Sequence, residues 1–141
     1  MVRSANAVWK GNLVEGNGTV SVGSGLFKDT QYSFVSRFEE GTGTNPEELI
    51  GAALAGCYSM ALAHGLAEAG YKPGEVRTSA KVHLDKVGDG FAITRIDLET
   101  EARVPGIDEK EFMEKANATK TGCPVSQALA STEITLTARL V

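Results

Sequence analysis

Two thiols define the chemistry open to this chain: Cys57 and Cys123 are its only cysteines and stand 66 positions apart, so tertiary structure must make any encounter between them. Cys57 lies within NPEELIGAALAGCYSMALAHG, residues 45–65, which otherwise reads as a helix of alanine, glycine and leucine. Two readings of the pair are open. In one, Cys57 is a nucleophilic thiolate and Cys123 the thiol that resolves its oxidised form. In the other, both are small core residues, the commonest use of a free cysteine. Cys123 stands between Gly122 and Pro124 at a helix start, where free N–H groups and the helix dipole favour a thiolate; a space filler rarely needs that position.

The other candidate groups narrow the chemistry. His64 follows Cys57 by seven residues, on nearly the same helix face but roughly 10 Å along it, too far for a nucleophile–base hydrogen bond. His83 falls within a strand. No close-spaced ligand pair accompanies the cysteines, so a metal site is not expected and both histidines read as structural or surface residues. A cation must then lower the thiol pKa. Arg37 is the candidate, ending an apolar strand just before the loop into the central helix, where a carboxylate could hold its guanidinium; alone, it could equally be a strand-end charge.

Composition limits what these residues could serve. The chain has 141 residues, 42% hydrophobic and 23% charged, with a net charge of −4, which fits one folded domain over residues 1–141. Its 14 basic residues are outnumbered by 18 acidic ones and form no run, so no nucleic-acid partner is expected. The start, Met1 to Asn6, turns polar at once, and the apolar run Ile50 to Leu62 is shorter than the roughly 20 residues that cross a bilayer. The expectation is a cytoplasmic protein with no membrane partner. A cysteine pair in that reducing compartment points to redox or catalytic chemistry.

The elements that must position these groups follow from periodicity. Ala7–Trp9, Gly18–Val22 and Tyr32–Arg37 read as strands of an antiparallel meander. Thr44 or Asn45 can cap a helix with Pro46 in its first turn and Glu47 and Glu48 at its positive end, running to about Ala69 with Gly70 as its stop. Glu75–Val87 and Phe91–Val104 form a hairpin around Gly88-Asp89-Gly90. Asp108 opens an amphipathic helix with Phe112, Met113 and Ala116 inward, ending at Gly122; Pro124 starts another turn, and Ile134 to Leu140 alternate as a last strand. The order specifies an α+β fold: antiparallel sheets with a long central buried helix. One helix side carries Ile50, Leu54, Tyr58, Leu62 and Leu66, the other Leu49, Ala52, Ala53, Gly56, Met60 and Ala63. A sheet covers one side, and a homodimer is the economical cover for the other, with a monomer covered by the second helix as the alternative.

RFEEGTGTNPEELIGAALAGCYSMAL (37–62), LDKVGDGFAITRIDLETEARVPGID (84–108) and TGCPVSQAL (121–129) together resemble the OsmC/Ohr family of thiol-dependent hydroperoxide reductases, its OsmC branch in particular. The resemblance implies a peroxidatic Cys57, a resolving Cys123, an activating Arg37 and Glu47 as the carboxylate partner of Arg37. It also implies an intertwined homodimer with two active sites at its interface, no metal or bound cofactor, an organic hydroperoxide substrate, and an external dithiol reductant such as a lipoylated protein. Glu47 and Cys57 are ten residues apart, roughly 15 Å and about 80° out of phase on one helix, so they cannot meet within it. Either Arg37 bridges them or the partner subunit supplies the carboxylate; the expectation is the latter, with the central helices crossing antiparallel. The mechanism implied runs through a Cys57 sulfenic acid and a Cys57–Cys123 disulfide. Apolar neighbours of Cys57 favour organic over hydrogen peroxide. A dimeric module that binds a small lipophile, its cysteines inert, is the alternative.

Overall fold

A computed structural model describes residues 1–141. It divides into two compact units, Met1–Leu49 and Ile50–Val141.

In the first unit β1 (Ala5–Lys10), β2 (Asn17–Val22) and β3 (Thr30–Ser33) form the expected antiparallel meander in the order β1-β2-β3. Gly18 pairs with Trp9 on one side and Tyr32 on the other, and the two rings close over it with centroids 5.3 Å apart. A Cβ at Gly18 would lie 2.6 Å from Tyr32 and 2.7 Å from Trp9, so only glycine admits that ring pair.

The third strand stops earlier than expected. Residues 34–37, expected as strand, belong to a short helix, α1 (Phe34–Phe38). Local hydroxyls decide this: the Ser36 N–H donates to Ser33 Oγ (3.2 Å) while the Ser33 N–H donates to Ser36 Oγ (2.8 Å), a reciprocal cap that opens a helix. Phe34 and Phe38 then stack at helical spacing, with centroids 4.9 Å apart. Arg37 therefore sits in a helical last turn instead of at a strand end.

The helix α2 (Pro46–Glu68) begins as expected, Asn45 Oδ1 accepting the Glu48 N–H at 2.8 Å. It ends before Gly70, whose φ of 92° reverses the chain. At 23 residues it is long and apolar enough to cross a bilayer, a property the reading from Ile50–Leu62 alone missed. Its Leu54, Tyr58, Leu62 and Leu66, spaced at four-residue intervals, are fully buried in the protein core. Burying one such leucine contributes about 2 kcal/mol.

In the second unit β4 (Glu75–Val87) and β5 (Gly90–Arg103) form the expected hairpin, with a bulge between His83 and Leu84. The helices α3 (Glu109–Gly122) and α4 (Pro124–Ala128) follow, and β6 (Glu133–Leu140) completes the sheet in the order β4-β5-β6. The α+β class stands, but β6 pairs parallel to β5, where antiparallel sheets were expected. The helical connection carries the chain back to the starting end of β5, and such a crossover is what parallel pairing requires. Ile96, Leu98 and Ala102 of β5, with Phe112 of α3, join the buried α2 stripe in one core.

Only one side of α2 is covered within the chain. Ala52, Ala53, Gly56 and Met60 are exposed, Met60 at 77%.

Candidate active site

The first unit supplies a cation held by a carboxylate. Arg37 Nη2 and Nε donate to the same oxygen, Glu47 Oε1, at 2.9 and 3.2 Å. Glu47 is 6% exposed and its Oε2 is buried without a partner. Ser36, which sequence reasoning passed over, fixes this approach: its Oγ donates to the Thr44 carbonyl (2.9 Å), and Asn45 Nδ2 donates to the Ser36 carbonyl (3.0 Å). These bonds lash α1 to the entry of α2, so the arginine and the first-turn glutamate stand at one distance. The guanidinium also lies 5.2 Å from the centroid of the Phe38 ring.

The second unit brings the two thiols together. Cys57, part-exposed at the middle of α2, packs against the core cluster that includes Cys123, close enough for Cys123 and the Val125 backbone both to act on its thiol. Cys123 is 1% exposed and is the residue at which α3 ends and α4 begins, as Gly122 and Pro124 imply. Its Sγ lies 2.9 Å from Ser126 Oγ and accepts the Ser126 N–H at 3.3 Å. Tyr58 ties the helix bearing Cys57 to the helix leading to Cys123, its hydroxyl donating to the Ala116 carbonyl at 3.0 Å. The sequence reading takes Tyr58 only as an apolar neighbour of Cys57 and passes over Ser126; the apolar α2 stripe and the cap position after Pro124 are the signals available.

Electrostatics within this unit hold Cys57 as a thiol. Burial, the largest influence, pushes its pKa up from 9.0; the Val125 backbone bond opposes this, and the bond to Cys123 and its charge add to it. No cation is among these influences. Burial and the Cys123 charge likewise push the Tyr58 phenol up, so it stays a neutral donor.

Neither histidine is among the groups that act on the Cys57 thiol. His64 is exposed on α2. His83 Nε2 is 2.7 Å from Asp97 Oδ2 on the outer face of the second sheet. Asp97 also accepts from Thr135 Oγ1 (2.7 Å) and Arg95 Nε (2.8 Å), and the bonds from Thr135, His83 and Arg95 hold its carboxyl well below the usual carboxylate range.

Two small sheets, a long helix that carries one thiol at its middle and a second helix that ends on the other thiol define an α+β protein with a cysteine pair, and comparison with known proteins gives it a family. Residues 39–139 match the family described as OsmC-like protein, and the chain belongs to it. The matched span contains Glu47, Cys57 and Cys123, with Arg37 just before it. The chain is 52% identical over 134 residues to peroxiredoxin OsmC of Escherichia coli (strain K12), covering 95% of this chain and 93% of that protein. It is 34% identical to the organic hydroperoxide resistance protein of Xanthomonas axonopodis pv. citri (strain 306), over 69% of this chain and 68% of the other. In structure it is similar to the organic hydroperoxide resistance protein OhrB of Bacillus subtilis, with a TM-score of 0.70 and 26% identity over 98% of each chain.

Proposed function

We propose that the chain is a peroxidase that reduces organic hydroperoxides, and hydrogen peroxide more weakly, with residues 1–141 working as one OsmC-like domain. The observation that carries this reading is that Cys57 and Cys123, 66 residues apart in the chain, pack into one core cluster, near enough for Cys123 to act on the Cys57 thiol. The peroxiredoxin and hydroperoxide-resistance relatives support the substrate class. An inert binding module has no use for a second thiol in contact with the first.

Cys57 thiolate attacks the terminal oxygen of the hydroperoxide; the S–O bond forms, the O–O bond breaks, and the departing alkoxide takes up the proton that Cys57 shed on ionising and leaves as the alcohol. The Cys57 sulfenic acid condenses with Cys123 to a disulfide, releasing water. An external dithiol, such as a lipoylated protein, returns both thiols by exchange. Cys57 needs a cation to ionise near neutral pH, and the influences within its own unit provide none. Arg37, gripped by Glu47, supplies it, delivered by the partner subunit of a homodimer. The exposed α2 side supports that assembly. Gly56 has no atom within 4 Å of where its Cβ would stand, so nothing inside the chain requires glycine there. A second helix crossing closely would.

Stopped-flow consumption of cumene hydroperoxide by the reduced protein, with free thiols counted before and after one turnover, tests the reading. Rapid loss of both thiols is expected in the wild type, with Cys57→Ser inert and Cys123→Ser halted after one oxidation. Oxidation no faster than that of an ordinary free thiol would instead favour the lipophile-binding dimer.

A further inference from the structure

We propose that Ser126 is a positioning residue that sets the direction of disulfide recycling: reductant attacks Cys57, and Cys123 departs as a thiolate received by Ser126. The inference takes its setting from the peroxidase reading and goes beyond it.

The two sulfurs differ in access and in what awaits them when they leave. Cys57 is part-exposed, whereas Cys123 is 1% exposed, so an incoming thiol reaches Cys57 first. Cys123 Sγ lies between two groups of one residue, the Ser126 N–H at 3.3 Å and the Ser126 hydroxyl at 2.9 Å. With Cys123 as a thiol, either partner of the hydroxyl contact can donate. A thiolate can only accept, so as charge develops on Cys123 both the hydroxyl and the N–H of Ser126 donate to it. Ser126 is 3% exposed, which keeps water from doing the same work. Exchange is faster when the departing thiolate is stabilised.

The step balances as a two-electron exchange. A thiolate of the external dithiol attacks Cys57 Sγ, the new S–S bond forms, the Cys57–Cys123 bond breaks, and its electron pair leaves on Cys123. The second thiolate of the dithiol then attacks its own sulfur in the mixed disulfide. That closes the reductant's disulfide and releases Cys57 as a thiolate; protons lost by the dithiol return to the two protein thiols.

The test starts from protein oxidised with diamide, so it needs no peroxide chemistry. The oxidised protein is mixed with 2-mercaptoethanol, quenched early with N-ethylmaleimide and mapped by mass spectrometry. The expected product carries mercaptoethanol on Cys57 and maleimide on Cys123. In Ser126→Ala, reduction of the disulfide by dithiothreitol slows roughly tenfold, the scale of one hydrogen bond to a charge, and the adduct shifts toward Cys123. Ser126→Thr, which keeps the hydroxyl, restores rate and position. A wild-type adduct on Cys123, or Ser126→Ala reduction at the wild-type rate, overturns the proposal, as does failure of diamide to join the cysteines. Peroxide consumption by the wild type is read separately: its absence defeats the peroxidase reading and leaves the regiochemistry to stand or fall alone.

Discussion

Arg37 grips Glu47 through a single carboxylate oxygen: Nε and Nη2 both reach Oε1, while Oε2 lies buried without a donor. A buried carboxylate oxygen left open costs about 1–3 kcal/mol. Within the chain, one oxygen of the Glu47 carboxylate holds Arg37 and the other is unpaired.

If the guanidinium fork serves Cys57, charge alone will not replace it. Arg37→Lys keeps the cation but cannot make the two-donor grip on Oε1. The expected outcome is a fall of roughly tenfold or more in the rate of Cys57 oxidation by cumene hydroperoxide, with little change in urea midpoint, because Arg37 is already partly exposed. An unchanged rate would remove Arg37 from the site.

Burial pushes the Cys57 thiol above its ordinary 9.0; the function proposed above requires a partner-borne cation to reverse this. A raised thiol pKa favours the folded state below the unfolded value, and that contribution is lost as pH rises through the folded pKa. In separated protomers, then, Cys57 alkylates only in alkaline solution; in the assembled protein alkylation begins at lower pH. Met60→Arg, placing a charge on the exposed α2 side, should separate the protomers. Iodoacetamide rates against pH, with mass by light scattering, make the comparison. Coincident profiles from assembled and separated protein would rule out a cation supplied in trans.

Asp97 makes a prediction about stability away from the site. Its folded carboxyl titrates below the unfolded value of 3.8 because Thr135, His83 and Arg95 hold the charged form. The depressed pKa contributes stability above that value and loses it as pH falls toward the folded pKa. Wild type should therefore exceed Asp97→Asn in urea stability at pH 7, and the gap should narrow at pH 3. A gap independent of pH would mean that the carboxylate charge is not what the cluster stabilises.

Much of this framework was legible from spacing. The four-residue stripe Leu54, Tyr58, Leu62 and Leu66 and the alternation through Ile96 and Leu98 carry their burial in their periods, and Asn45-Pro46 and Asp108 announce helix starts through local capping chemistry. Such signals survive in one dimension because the groups that satisfy them lie within a few residues. Residues 34–37 depart from the sequence expectation for a related reason. Their apolar pattern suits a strand, but the Ser33–Ser36 hydroxyl exchange, equally local, outweighs it.

Beyond that range the sequence is silent. Cys57 and Cys123 could each be named as thiols, but their contact depends on where α3 ends relative to the middle of α2, which the Tyr58 bond to Ala116 and the shared core decide. The parallel pairing of β6, the Asp97 cluster drawn from three strands, and the one-oxygen grip of Arg37 on Glu47 are likewise products of packing. Residue type and period determine which faces are apolar and which groups can react. Which reactive groups meet depends on contacts between distant segments, and the folded chain alone selects those.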